Sequence, residues 1–449
     1  MIKNTCLVFD IGKTNKKAFL INEEYEIVWQ ESKSFFEITD EDGFACDDIL
    51  VISNWVLETF KLARQLHEFS IKAINFSAYG ASFVHIGDDD TQIAPLYNYL
   101  NPFPDKLAAD FYNKYGGQKI FSLETGSPCL GNLNSGLQLY RIKQEKPELF
   151  SKIKYSLHLP QYLSFLFTTQ FVSDITSIGC HTALWNFNTN KYHDWVSNEE
   201  ILPKLAPTHA AESPFNVNNI QVGIGLHDSS AALIPYIINF QEPFVLLSTG
   251  TWCISLNPFN NTPLTVEELQ LDCLNFFSYK EKPVKASRLL TGLEHEIQTK
   301  RLAAHFAVTE DAYKQVAYNA NFIEKIREKT NHFNADKILK ECLFKSRDIS
   351  QFETYEEAYH QLIFDLVALQ IASTELVINN SPVHKLFVDG GFSANKIFMN
   401  LLAQAFPAIE IYAATVAQAS AMGAAMSIHK FWNRNKQSRK NISLVKYSA

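Results

Sequence analysis

The stretch Asp10-Ile11-Gly12-Lys13-Thr14-Asn15 closes one apolar run, Thr5 to Asp10, and leads into a second, Lys17 to Asn22. Two short runs around a glycine-bearing turn read as strand, turn, strand. The device returns in the second half as Phe244 to Leu247, then Ser248-Thr249-Gly250-Thr251, then Trp252 to Leu256. A glycine lets the backbone come close to a ligand, and successive amides can point at phosphate oxygens. The hydroxyls of Thr14, Thr249 and Thr251 add donors. Each turn taken singly is as well explained by an ordinary hairpin. Taken as a pair, one in each half, they read as a clamp for a polyphosphate across a cleft. Asp10 would repel bare phosphate, and fits such a site when Mg²⁺ stands between them through water.

Working outward, the first half opens β-β-β-α-β. Glu26 to Gln30 follows the loop Asn22 to Glu24, a helix is expected over Asp47 to Glu68, and Ala73 to Ser77 is a strand. Short strands are expected at Val84 to Ile86 and Ile93 to Tyr97, and helices at Leu133 to Gln144 and Leu159 to Phe167. Gln221 to Gly225 reads as a strand entering His227-Asp228, with a helix starting at Ser229. The restart of the pattern puts a boundary near Ile237 to Glu242, giving domains 1–238 and 239–449. In the second half, helices are expected over Leu289 to Phe306, Glu353 to Asn379, Asn395 to Phe406 and Ala417 to His429. Strands are expected at Lys385 to Val388 and Ile409 to Tyr412. Two stretches, 257–281 and 328–353, fit no pattern and read as insertions.

Composition bounds the function. A chain of 449 residues exceeds one ordinary core, so two domains are expected. A net charge of −8 argues against non-specific nucleic-acid binding, the one basic cluster being the tail Lys436 to Lys440. Seven cysteines with no Cys-x-x-Cys pair suggest neither a disulfide framework nor a zinc site. No apolar run has the shape of a signal peptide or approaches a membrane span. A cytoplasmic protein with no membrane or nucleic-acid partner is expected, as monomer or homodimer.

Two further loops carry chemistry. Asp389-Gly390-Gly391 feeds a helix start, where backbone amides can hold a nucleotide, or it is simply a tight connection. No Walker-A and no Gly-x-Gly-x-x-Gly sequence accompanies it. His227-Asp228 stands where a strand ends and a small-residue helix begins. Phosphoryl transfer needs positioning, charge neutralisation and one group to accept the nucleophile's proton. Asp228 suits that task, and it suits a helix cap equally well.

The order of these motifs resembles the FGGY carbohydrate kinases, and within them the L-rhamnulose and L-fuculose kinase branch. Asp10 to Ala18 is similar to the family's first phosphate motif and Ser248 to Trp252 to its second. Asp389 to Ser393 with Ala419 to Ala425 is similar to the adenosine motif. Gly225 to Ala231 is similar to the loop of the catalytic aspartate, Gly80 to Val84 to the sugar-side glycine loop, and Ser173 to Thr176 with Gly179 to a stretch between them. The resemblance implies an α/β, two-domain actin-like ATPase fold with ribonuclease-H-like cores and an interdomain cleft. It implies ATP, Mg²⁺ and phosphorylation of a ketose of the L-fuculose or L-rhamnulose type. Xylulose or ribulose, or a regulatory ATP-binding role without catalysis, are the alternatives.

Carried over residue by residue, the resemblance makes Asp228 the general base, with Gly80, Ser82, His227 and Ser229 at the sugar. It sets Asp10, Gly12, Lys13, Thr14, Asn15, Lys16, Lys17, Thr249, Gly250 and Thr251 near the phosphates. Gly292, Gly390 and Gly391 fall by the nucleotide, and Asp10 and Asp228 near Mg²⁺ through water. Lys13 departs from the Thr or Ala usual there, and can reach phosphate or point to solvent. Gln418 replaces a common glutamate, Tyr79 a tryptophan, and Tyr97-Asn98-Tyr99 an expected Trp-x-Asp.

Overall fold

The computed structural model describes residues 2–329, 342–416, 418–436 and 442–448. Ala417, residues 437–440 of the basic tail and residues 330–341 of the stretch 328–353 lie outside them. The first sheet grows from β1 (Lys3–Ile11), whose Cys6, Leu7, Val8, Phe9 and Ile11 are fully buried, as a central strand covered on both faces must be. It pairs antiparallel with β2 (Lys16–Asn22), which pairs antiparallel with β3 (Ile27–Lys33). Helix α1 (Ile49–Arg64) starts where the Asp48 carboxylate accepts the Leu50 and Val51 amides. It returns the chain to β4 (Phe69–Ala78), parallel to β1. β5 (Phe215–Val217) and β6 (Ile220–Val222) form the far edge, and β6 and β7 (Leu226–His227) each run parallel to β4. Between β4 and β5 the chain builds a region with its own aromatic core around Phe111, Phe121 and Trp195. There the strand expected at Ile93 to Tyr97 does not form. That segment makes a single bridge, Asp47 to Leu96, with another, Ile86 to Gln92, just before it, because Phe83–Ile86 takes Tyr155–His158 as its partner.

After α2 (Asp228–Asn239) the pattern repeats. β8 (Phe244–Thr249) pairs antiparallel with β9 (Cys253–Asn257). Beyond it lie β10 (Cys273–Phe277) and β11 (Pro283–Leu289), the latter antiparallel to β9. Helices α3 (Thr291–Phe306) and α4 (Tyr355–Ile378) cover one face. β12 (Lys385–Gly390) runs parallel to β8, and α5 (Lys396–Ala405) leads to β13 (Glu410–Thr415), parallel to β12. α6 (Ala419–Ser427) and the edge strand β14 (Ser443–Tyr447) complete the half. Both sheets thus set an antiparallel three-strand meander beside two parallel strands, the ribonuclease-H-like arrangement expected.

The stretch 257–281 is no insertion. Thr265 and Glu268 form a reciprocal cap on the short helix Val266–Gln270, and Cys273–Phe277 is an integral strand of the second sheet. Its alternation was hidden by two apolar pairs, Cys273-Leu274 and Phe276-Phe277, on either side of Asn275. α4 is, among the described residues, long and apolar enough to cross a membrane by length and composition, and it is instead the central helix of the second core.

The two sheets meet on α2 and α6. One core joins Cys6, Val8 and Phe19 of the first sheet to Phe244, Leu246 and Phe387 of the second through Ala231, Ile234, Ala421 and Ala425 of these helices. They approach so closely that a Cβ on Gly423 would sit 1.8 Å from the Ala231 carbonyl oxygen. Asn75 on β4 donates to the Ala424 carbonyl (2.7 Å) and the Ser427 hydroxyl (3.1 Å), so a fully buried amide of the first half holds the last helix of the second.

Candidate active site

Strand register brings the first carboxylates together. Asp10 on β1 faces Ser77 on β4, and Ser77 faces Leu226 on β7, so Asp228 starts α2 close to Asp10. The Asp228 side chain is 36% exposed and accepts from the Ser229 amide (2.6 Å) and hydroxyl (3.2 Å). Burial pushes its carboxyl from 3.8 to about 6, against those two hydrogen bonds. Asp10 also rises to about 6. Burial is the main cause, the Ser420 hydroxyl opposes it with a 2.8 Å hydrogen bond, and the Asp228 charge adds to it. Two like charges facing one gap make a place for a cation.

The side of Asp228 toward His227 is walled by both halves. His227 Nε2 lies 3.2 Å from Asp228 Oδ1 and 3.2 Å from Cys180 Sγ. A Cβ on Gly80 would meet the His227 ring at 3.0 Å, so the glycine there makes room for the imidazole. From the second half, Phe276 stands edge-on to His227 (5.5 Å) and near His181 (5.9 Å). Phe277 fills the space a side chain on Gly179 would need (2.1 Å). Arg288 on β11 reaches the same region. Its charge depresses the basicity of His227 and His181, after burial, the larger cause in each. Arg288 is held by both Asp272 oxygens (2.9 and 3.1 Å) and lies over Trp252 (5.1 Å). Ser82 is buried beside this wall, its carbonyl accepting from the Leu159 amide. Below, the His227 amide donates to Thr176 Oγ1, whose hydroxyl donates to the fully buried Asp174.

The second hairpin is braced from beneath. Thr249 Oγ1 donates to the Asp389 carbonyl (2.6 Å) and accepts from the Phe392 amide (3.0 Å), so this hydroxyl staples two loops and is spent. A Cβ on Gly292 would fall 1.7 Å from the Gly250 carbonyl oxygen, and one on Gly390, at φ +88°, 1.9 Å from that of Thr249. Both glycines let backbones stack. Gly391 differs, with nothing within 4 Å of its Cβ direction. Gly250 and Thr251 are exposed at the turn. Asp389 accepts from Tyr236 (2.8 Å) and the Gly390 amide (2.7 Å), tying this loop to α2.

The first hairpin departs from expectation at its lysines. Lys16 is 1% exposed, and its amine donates to Asp47 Oδ1 (2.8 Å) and the Lys13 carbonyl (2.8 Å). Lys13, 24% exposed, is paired with Glu37 and Asp47 at 2.8 Å each. Asp47 also takes the Tyr79 hydroxyl (2.8 Å). Burial would raise its carboxyl, but Lys13 and Lys16 hold it below the usual carboxylate value. Lys17, opposite Asp10, instead donates across to Gln418 (3.1 Å). Thr14 and Asn15 are exposed at the tip, and the Gly12 amide closes the turn on the Asn15 carbonyl (2.9 Å). Asp47, Cys180, His181, Phe276, Arg288 and Ser420 were not singled out from the sequence. No local pattern marks them, since each arrives from a remote element.

Two ribonuclease-H-like halves around a carboxylate-lined gap define a two-domain actin-like ATPase fold. The chain belongs to the FGGY family of carbohydrate kinases: residues 5–234 match its N-terminal domain and residues 241–437 its C-terminal domain. A rhamnulokinase from Oceanobacillus iheyensis is 24% identical over 232 residues, 49% of this chain and 48% of that protein. A gluconokinase from Bacillus subtilis is 24% identical over 241 residues, 54% of this chain and 45% of that protein. The chain thus spans about half the length of the curated relatives it matches. The crystal structure of a carbohydrate kinase from Novosphingobium aromaticivorans superposes with a TM-score of 0.79 at 21% identity, covering 100% of this chain and 95% of that one.

Proposed function

We propose that the protein transfers the terminal phosphoryl group of ATP to a hydroxyl of a ketose of the L-rhamnulose or L-fuculose type. The observation that carries this is the pair of facing carboxylates, Asp10 and Asp228, between a glycine hairpin and a histidine-lined pocket. Asp228 accepts the sugar hydroxyl's proton on its carboxylate. Its raised value brings it nearer the hydroxyl in basicity while leaving it mostly ionised at neutral pH. His227 steadies that carboxylate from one side and Ser229 from the other, and both offer hydrogen bonds to the sugar. Gly80 and Ser82 line the pocket beneath it. Gly250, Thr251 and Gly391 hold the nucleotide on the opposite wall.

The donor set also fits Mg²⁺, a hard cation that prefers oxygen and keeps much of its water. Asp10 and Asp228 would hold it through water, where it neutralises charge on the phosphates. ADP release measured over L-rhamnulose, L-fuculose, L-ribulose, D-xylulose, D-ribulose and gluconate tests the reading. A ketose-dependent signal that vanishes in Asp228→Asn supports it. Equal ADP release with and without every sugar refutes it, and a response to gluconate alone refutes the ketose.

A further inference from the structure

One buried cluster beside Asp228 shares only His227 with this chemistry. Cys180 Sγ and the nearest ring nitrogens of His181 and His227 all lie within 4.8 Å of one another, and all three residues are buried. Cys180 Sγ and His227 Nε2 are already 3.2 Å apart. In a tetrahedral zinc site, with bonds near 2.1 Å to nitrogen and 2.3 Å to sulfur, neighbouring donors stand about 3.5 Å apart. Bringing the third donor in needs a movement of about 1 Å.

We propose that Cys180, His181 and His227 form a binding site for a thiophilic divalent cation of the Zn²⁺ type. A second observation points the same way. His181 Nδ1 lies 2.9 Å from the Leu133 carbonyl, so it carries the proton there and its Nε2 is left with a free lone pair. A backbone carbonyl fixing the far nitrogen is how metal-binding histidines are oriented. Burial keeps both imidazoles neutral, as ligands must be. Among the described residues Arg288 is the cation that acts on the cluster, and Asp272 holds it with two hydrogen bonds, so the pair is neutral overall. Asp228 Oδ1 lies 3.2 Å from His227 Nε2, and its side chain is partly exposed. On binding, the Cys180 thiol loses its proton to solvent and its sulfur becomes a ligand. An occupied site takes His227 away from Asp228 and sets a second cation beside it, so the metal is an inhibitor of sugar phosphorylation rather than its helper.

The test uses the full chain without sugar or ATP, so it stands apart from the kinase reading. Cys129, an exposed thiol, is first replaced by Ser to remove surface binding. Titration with Co²⁺ is expected to give a thiolate-to-cobalt charge-transfer band saturating at one ion per chain, which Zn²⁺ then bleaches. Cys180→Ser abolishes the band. His181→Gln weakens Zn²⁺ binding by about a hundredfold or more, since even an outer partner is worth about 10–100-fold. No band in the parent protein, or a band that persists in Cys180→Ser, overturns the proposal. The parent measurement decides even if a variant fails to fold.

Discussion

Replacing Asp228 with Asn removes one negative charge from a place that resists it and changes almost nothing in shape. The carboxyl stands at about 6 rather than 3.8, chiefly through burial. At about 1.4 kcal/mol per tenfold, that difference amounts to roughly 3 kcal/mol against the folded state once the group is ionised. The side chain is 36% exposed, so solvent screening reduces this to about 1–2 kcal/mol. The sign follows from the direction. Below the unfolded value both states are protonated and the cost is absent. It grows as pH rises from 3.8 to about 6 and is constant above. Asp228→Asn should therefore be more stable than the parent at pH 7.5, by about 2–8 °C at 2–4 °C per kcal/mol for a domain of this size, and hardly more stable at pH 4. Thermal melts at both pH values check this, with ADP release measured on the same samples. An equal gain at both pH values would mean that charge burial is not its cause. A variant that is stabilised yet still fully active would sink the assignment of Asp228 as base.

Four other outcomes follow from the same geometry. The kcat/KM for sugar should fall as pH drops through about 6, where Asp228 takes up its proton, and a pH–rate profile with no acid limb there contradicts the assignment. Lys16→Met should cost about 1–3 kcal/mol in urea unfolding by removing one of the two cations that hold the buried Asp47, Lys13 remaining, whereas Lys17→Ala should leave stability nearly unchanged and alter the ATP dependence; the reverse ranking would return Lys16 to the phosphates. Gly292→Ala and Gly390→Ala should each lose ATP binding together with stability, because the added methyl meets a backbone carbonyl, while Gly391→Ala should keep the fold; calorimetry with ATP separates them. Small-angle scattering should show compaction when ATP and sugar are both present, and an unchanged radius of gyration would argue against closure of the two halves.

Much of this molecule is legible in its sequence. The hairpin at Gly12, its repeat at Gly250 and the helix that starts at Asp228 all rest on short-range rules of periodicity and turn chemistry, which a single chain displays. So does the strand-to-helix turn at Gly390. Those rules also made Asp228 a helix cap and a base at once, because spacing does not say what faces a carboxylate.

Only the tertiary structure decided that. Lys13 and Lys16 look alike beside a phosphate turn, yet Asp47, more than thirty residues on, takes both amines. Thr249 looks like a phosphate donor, and Asp389 and Phe392 spend its hydroxyl. The stretch 257–281 looked like an insertion, and its Phe276 and Phe277 pack from the other half against His227 and Gly179. In each case the deciding group arrives from a remote element. A charge is satisfied, or a surface covered, by whatever the packing of two sheets on α2 and α6 brings within 3 or 4 Å, and no local pattern records that distance. The sequence determined where turns, strands and the acid at position 228 would be. The fold determined which of their side chains remain free to act.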